Sequence, residues 1–342
     1  MIYSLHVYRG FAALLIVFYH AYIFMADYSK QNKISELFSG GYVAVQFFFV
    51  LSGFVIYYIH KNDIGVTGKF RIFIEKRFIR IYPIYWLATF MHLPFILFLN
   101  YNHDGPAIKV LPLINSLMLI PQRGLHIQVA WTLVYEIIFY LFFALLIRFK
   151  KVGSIVFLIW QLAIVILNIY PQKILYEYGA LFSLYNLLFA LGLIAGYLSL
   201  KFEKIVSKNG FWIFVIGNLI FLTALFGRRL GLSNTFNINI LLFGFASFLI
   251  VLGSRSSTIQ SLFNIKSIFF LGDASYSIFL MHQLVIFLMG TMLIALNIFQ
   301  IIPVTVIFIL IIFISVSSGI MFHKFIEIPV HLWLKQKIAV SH

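Results

Sequence analysis

Apolar runs close to the length needed to cross a bilayer, about 20 residues, recur along the whole chain, each closed by a short polar or charged stretch. Ten segments can be drawn, at 5–25, 41–60, 81–100, 131–148, 152–170, 182–200, 211–227, 238–253, 268–296 and 303–323. The pattern predicts an all-α, polytopic membrane helix bundle of about ten transmembrane helices. The longest intervening stretches, near 26–40, 61–80 and 101–130, are too short to fold alone, so a single integral-membrane domain over 1–342 is expected. The first run resembles a signal peptide in length, but Arg9 and His20 bracket its core and no small-residue cleavage site follows, so it is expected to stay as a helix. No internal repeat of the inverted kind found in many transporters is visible.

Composition agrees with the pattern. Of 342 residues, 62% are hydrophobic and only 10% charged, and the mean hydropathy is +1.01, far from soluble domains. The formal charge of +15 invites a nucleic-acid partner, but its placement argues against one. With the amino terminus in the cytoplasm, only seven cations fall outside: Lys30, Lys33, Lys109, Arg123, Lys173, Arg228 and Arg229. The other 18 of 25 fall inside, a positive-inside asymmetry that predicts both termini cytoplasmic and anionic membrane lipid as the neighbour. Cysteine is absent, which excludes disulfides, thiolate metal sites and cysteine nucleophiles. No metal is expected.

The candidate chemistry lies in polar groups inside apolar runs. Arg9 and His20 stand eleven residues apart in "LHVYRGFAALLIVFYH", which on a helix puts them on one face with a rise of about 16 Å between them. Each alone suits a snorkelling anchor or an interfacial polar residue. Together they suit a polar channel with a cation at its inner mouth and a titratable base inside. Glu136 in "WTLVYEIIFY" and His282 in "LGDASYSIFLMH" also sit within spans, where an ionisable group is costly and faces the bundle interior or water. For both, the alternative is a structural hydrogen bond between helices. In "EKRFIRIYPIYW", Arg77 and Arg80 share a face of the first turn of the third segment, which suits phosphate recognition or plain positive-inside anchoring. "GGYVAVQFFFVLSGF" ends near Ser52 and Gly53, small residues that permit close helix approach or backbone contact with a ligand.

Six stretches together resemble the acyltransferase-3 family, integral-membrane acyltransferases that O-acylate bacterial surface polysaccharides and related acceptors. They are "YRGFAALLIVFYH", "VQFFFVLSGF", "RFIRIYPIYW", "WTLVYEIIFY", "LGDASYSIFLMH" and "FIEIP", in the family's order and over nearly the whole chain. The resemblance implies a multi-pass protein of the bacterial cytoplasmic membrane that moves an acyl group, commonly acetyl, from acyl-coenzyme A to a sugar hydroxyl, with no permanently bound cofactor. It implies that Arg9, and with it Arg77 and Arg80, meets the coenzyme phosphates. His20 would then act as general base or as acyl carrier, and Glu136 would orient it or stabilise its cation. Ser52, Trp131, Tyr135, Tyr276 and His282 would serve the acceptor, a glycan or a lipid-linked sugar, the aromatics by packing on sugar rings or instead as an interfacial belt.

One position departs from the pattern. Family members commonly carry an aspartate two or three residues before the arginine, where this chain has His6, so the carboxylate that would pair with Arg9 is missing. Two other function classes share the composition, namely an exporter of polysaccharide or small molecules and a non-catalytic partner of a polysaccharide synthase. The six ordered motifs favour the enzyme.

Overall fold

The computed structural model of the chain describes residues 2–26, 37–102, 110–121, 127–169, 179–227 and 236–341. Helix is the only regular structure among them, as hydrocarbon demands, since a helix satisfies its backbone amides within its own segment. The long helices are α1 (Tyr3–Ala26), α2 (Ala44–His60), α3 (Lys69–Asn102), α4 (Trp131–Arg148), α5 (Lys150–Ile169), α6 (Tyr185–Lys201), α7 (Glu203–Gly227), α8 (Phe236–Gly253), α9 (Ser275–Ala295), α10 (Val304–Phe322) and α11 (Ile328–Ser341).

The fold is the all-α membrane bundle the apolar pattern predicts. Seven stretches of helix among the described residues are long and apolar enough to cross a membrane: Tyr3–Ala26, Gly41–Asp63, Gln128–Arg148, Lys150–Ile169, Glu203–Phe226, Ser275–Ala295 and Val304–Lys337. Shorter apolar helices at Tyr185–Lys201 and Asn237–Gly253 occupy the sixth and eighth predicted segments. The third predicted segment is the latter part of the 34-residue α3. Outward apolar side chains such as Leu158, Ile159 and Leu162 on α5 are more than half exposed, a surface suited to lipid and not to water. All seven cations assigned to the outer side lie outside the described residues.

The chain divides into two units. The first comprises Met1–Ala12, Tyr42–Ile74 and Tyr135–Gly272. Its principal helix pairs are α7 with α8 and α2 with α6, and α8 also packs on α2 and α6. Glycine sets the closeness of these pairs. A Cβ at Gly53 would lie 2.1 Å from the Phe189 carbonyl oxygen, and one at Gly192 would lie 2.1 Å from that of Val50. The glycine in "VLSGF" is therefore a packing residue: it lets α2 and α6 meet backbone to backbone, where dispersion replaces the missing hydrophobic drive.

The second unit comprises Ala13–Gly41, Glu75–Val134 and Asp273–His342. Here α9 pairs with α10, which runs through a π-helical turn, His323–Glu327, into α11. The turn holds the carboxylate of "FIEIP": Glu327, nearly buried, accepts from Ser277 Oγ at 2.5 Å and from His323 Nδ1 at 2.7 Å. In the same unit the chain that leaves α3 at Asn102 returns to it sixteen residues further back, at Trp86. Tyr82 and Tyr85 hydroxyls and the Trp86 indole donate to the carbonyls of Met118, Ser116 and Leu117 at 3.0, 2.8 and 2.9 Å. Ser116 and Leu117 close the short helix Val110–Leu117 and Met118 follows it, so the aromatics of "RIYPIYW" add donors at its carboxyl end, where intrahelical ones run out.

Gly192→Val would force α2 and α6 apart at a backbone contact, an overpacking that costs about 1–3 kcal/mol or more. Thermal unfolding of the detergent-extracted protein should show a clear loss of stability, larger than for Gly68→Val, where an added Cβ meets nothing within 4 Å.

Candidate functional site

Three histidines gather in the second unit. His20, half-buried on α1, and His282, fully buried on α9, face each other with His20 Nδ1 and His282 Nε2 at 3.2 Å and ring centroids at 4.9 Å. Each also turns its Nδ1 to the carbonyl one helical turn earlier, His20 to Ile16 at 3.0 Å and His282 to Ile278 at 3.1 Å. The ring of Tyr19 stands edge-on to His20 at 5.1 Å. His92 on α3, in the same unit, bonds the Ala88 carbonyl at 2.8 Å in the same way. Its Nε2 is buried with no hydrogen-bond partner among the described residues. Spacing along the chain marks His20 and His282 separately but says nothing of their meeting. His92 was not singled out in the sequence, although an imidazole in an apolar run was the available signal. Among the described residues no three His, Asp or Glu side chains are arranged to hold a metal ion.

Glu136 belongs to the first unit. One of its oxygens accepts from Ser52 Oγ at 3.3 Å and from the Tyr140 hydroxyl. A carboxylate in a low-dielectric bundle needs such donors, and they come from α2 and from one turn further along α4. Ser52 is thus placed on Glu136. Tyr140, unmarked in the sequence, was findable as the hydroxyl four residues after the carboxylate. Tyr135 packs by its ring against Phe49 and Tyr185, with centroids at 5.8 and 5.6 Å.

The remaining positions scatter. Arg9 is half-buried on the same unbroken helix as His20. Arg77 is buried and Arg80 exposed, so the two guanidinium groups do not share one environment as their spacing suggested. Trp131 is exposed at the start of α4. Tyr276 does not stand with it. Its hydroxyl donates to the Ile81 carbonyl at 3.0 Å, next to Arg80, whereas the turn leading into Trp131 meets α9 at Gln283, which accepts from the Val129 amide at 3.3 Å. Seven residues of helix, about 10 Å, separate those two levels of α9.

His6, the departure from the motif, has a structural use. Its Nε2 donates to the Phe269 carbonyl at 2.9 Å and its ring stands edge-on to Phe269. Gly272 packs against the His6 backbone, where an added Cβ would lie 2.3 Å from the carbonyl oxygen. A carboxylate at position 6 has no proton to give that carbonyl.

The family model described as "Acyltransferase domain" matches residues 2–322 of the chain. The chain belongs to the acyltransferase-3 family. As an acyltransferase-3 protein with several membrane-spanning helices, it is a multi-pass membrane acyltransferase. Neither a curated protein nor a solved structure gave a match to the chain.

Replacing His6 by aspartate should destabilise the protein by about 0.5–1.5 kcal/mol, the scale of one lost hydrogen bond. The unfolding midpoint in detergent would fall, and His6→Gln, which keeps an N–H, would recover part of it.

Proposed function

We propose that this acyltransferase moves an acyl group, acetyl in the simplest case, from acyl-coenzyme A on the cytoplasmic side to a hydroxyl of a cell-surface polysaccharide or lipid-linked sugar in the bacterial inner membrane. The observation that carries the reading is an imidazole held by hydrogen bonds inside a membrane acyltransferase: His20, whose Nδ1 is engaged by the Ile16 carbonyl and His282. A histidine so held offers its other nitrogen for proton transfer near neutral pH.

As a base, His20 Nε2 takes the proton of the acceptor hydroxyl while its oxygen bonds the acyl carbon. The carbon–sulfur bond breaks, and the same proton passes to the departing coenzyme thiolate. As an acyl carrier, Nε2 bonds the acyl carbon as the carbon–sulfur bond breaks and the coenzyme leaves as thiolate. The hydroxyl oxygen then takes the acyl carbon as the nitrogen–carbon bond breaks, and Nε2 so freed takes the hydroxyl proton. That proton passes on to solvent to balance the one the thiolate takes up. Both routes leave an O-acyl ester and free coenzyme A. Arg9, on the same helix, is placed in this reading against the coenzyme phosphates, with Arg77 and Arg80 as further cations. The supporting features are the positive-inside pattern and the rise of about 16 Å from Arg9 to His20 along α1. Glu136 enters the reading as the half-buried carboxylate held by Ser52 and Tyr140.

The first test is transfer of label from radioactive acetyl-coenzyme A into envelope carbohydrate, with membranes carrying wild type or folded His20→Ala. Label with the wild type and none with the variant is expected. Equal label would remove His20 from the chemistry and favour an exporter or an assembly partner. Arg9→Ala should raise the donor KM by about tenfold, which corresponds to about 1.4 kcal/mol of lost binding, and change kcat much less. Loss of kcat at unchanged KM would contradict the assignment. Glu136→Gln, which still accepts from Ser52 and Tyr140, should lower kcat by about tenfold with the unfolding midpoint little changed.

A further inference from the structure

We propose that His282 is the positioning residue that selects the tautomer of His20, holding the proton on Nδ1 and leaving Nε2 as the reactive lone pair. The inference rests on the reading of His20 given above and deepens it by assigning a role to its neighbour.

The argument begins with the two carbonyls. A neutral imidazole has one N–H and one bare nitrogen, and a carbonyl oxygen only accepts. Ile16 O at 3.0 Å from His20 Nδ1 therefore calls for a proton on that nitrogen. Ile278 O at 3.1 Å from His282 Nδ1 calls for the same on His282. With both protons so assigned, His282 Nε2 is bare. It faces His20 Nδ1–H at 3.2 Å, which makes His282 the acceptor and His20 the donor of a bond shared between nitrogen and carbonyl. The opposite assignment would set a lone pair against a carbonyl on both helices at once. Only one arrangement of neutral rings satisfies every contact.

The consequence falls on the other nitrogen. His20 Nε2 is left without a proton, in the state a base or nucleophile requires. When Nε2 takes a proton or an acyl group, the ring becomes cationic and its Nδ1–H a stronger donor, and His282 Nε2 is already in place to receive it. In the serine hydrolases a carboxylate holds the histidine this way; here the holder is a second imidazole. His282 has no measurable exposure, so water cannot replace it, and a fixed acceptor in a dry interior costs no reorganisation as charge develops. His92, the third ring, is held in the same way by its own Nδ1 on Ala88.

His282→Gln and His282→Leu separate this role from packing. The glutamine Oε1 lies the same number of bonds from Cα as the histidine Nε2 and can accept the Nδ1–H, whereas leucine cannot. In membranes with matched amounts of folded protein, His282→Leu should lower kcat by about 10- to 150-fold, the scale of one hydrogen bond to a charged group, with donor KM unchanged. His282→Gln should stay within about fivefold of wild type. Equal activities for the two variants, whether both high or both low, would overturn the proposal. Should His282→Leu fail to fold, nitrogen-15 NMR of histidine-labelled wild type in lipid decides. The expected spectrum has His20 protonated at Nδ1 and bare at Nε2, in the wild type and again in His282→Gln, whose Oε1 accepts the same proton. A His20 carrying its proton on Nε2 in the wild type would overturn it. The NMR result stands apart from the enzymology: wild type inactive with acetyl-coenzyme A would count against the proposed reaction, while the spectrum alone would still accept or reject the tautomer pairing.

Discussion

A polar side chain inside hydrocarbon has no water to turn to, so its partner must be built into the protein. That constraint organises what is distinctive in this chain. His20, His92 and His282 each satisfy Nδ1 on the carbonyl four residues before, within their own helix. Glu136 draws two hydroxyls onto one oxygen, and Glu327 does likewise with a serine and a histidine. Because every such group is committed at one nitrogen or oxygen, what remains uncommitted acquires meaning. On His20 that is Nε2, and from it the proposed chemistry follows.

The helices were legible because a 20-residue apolar run admits few other structures. The intramembrane Arg9, Glu136, His20 and His282 were legible because charge and imidazole are conspicuous in such runs. Their partners were not. His20 and His282 are 262 residues apart, and no local pattern encodes which two helices bring their rings together. Arg77 and Arg80 illustrate the reverse case: helical spacing correctly put them on one turn but could not tell that neighbouring helices bury one and leave the other exposed. Tyr276 was legible as an aromatic near a helix end, but the Ile81 carbonyl that takes its hydroxyl, 195 residues away, was not.

The motifs also divide by purpose once the structure is in view. Gly53 in "VLSGF" and the aromatics of "RIYPIYW" hold helices and carbonyls in place, and the glutamate of "FIEIP" fastens a π-helical turn to α9. His6 has taken over a backbone carbonyl that an aspartate could not serve. A pattern made of such residues records a scaffold as much as a reaction.

The long helix α3 carries two prolines, Pro83 and Pro94. Each lacks the N–H that would bond the carbonyl four residues earlier, at Ile79 and Phe90, so the helix has a missing rung at two places. Between those places lie Tyr85 and Trp86, which grip the returning segment, and His92, which bonds the Ala88 carbonyl. Mechanically, α3 is a rod with two soft joints, and the length between them is a lever. Tyr82 holds the returning segment from one side of Pro83 and Tyr85 and Trp86 hold it from the other, so the bonds that cap Val110–Leu117 also splint the first joint.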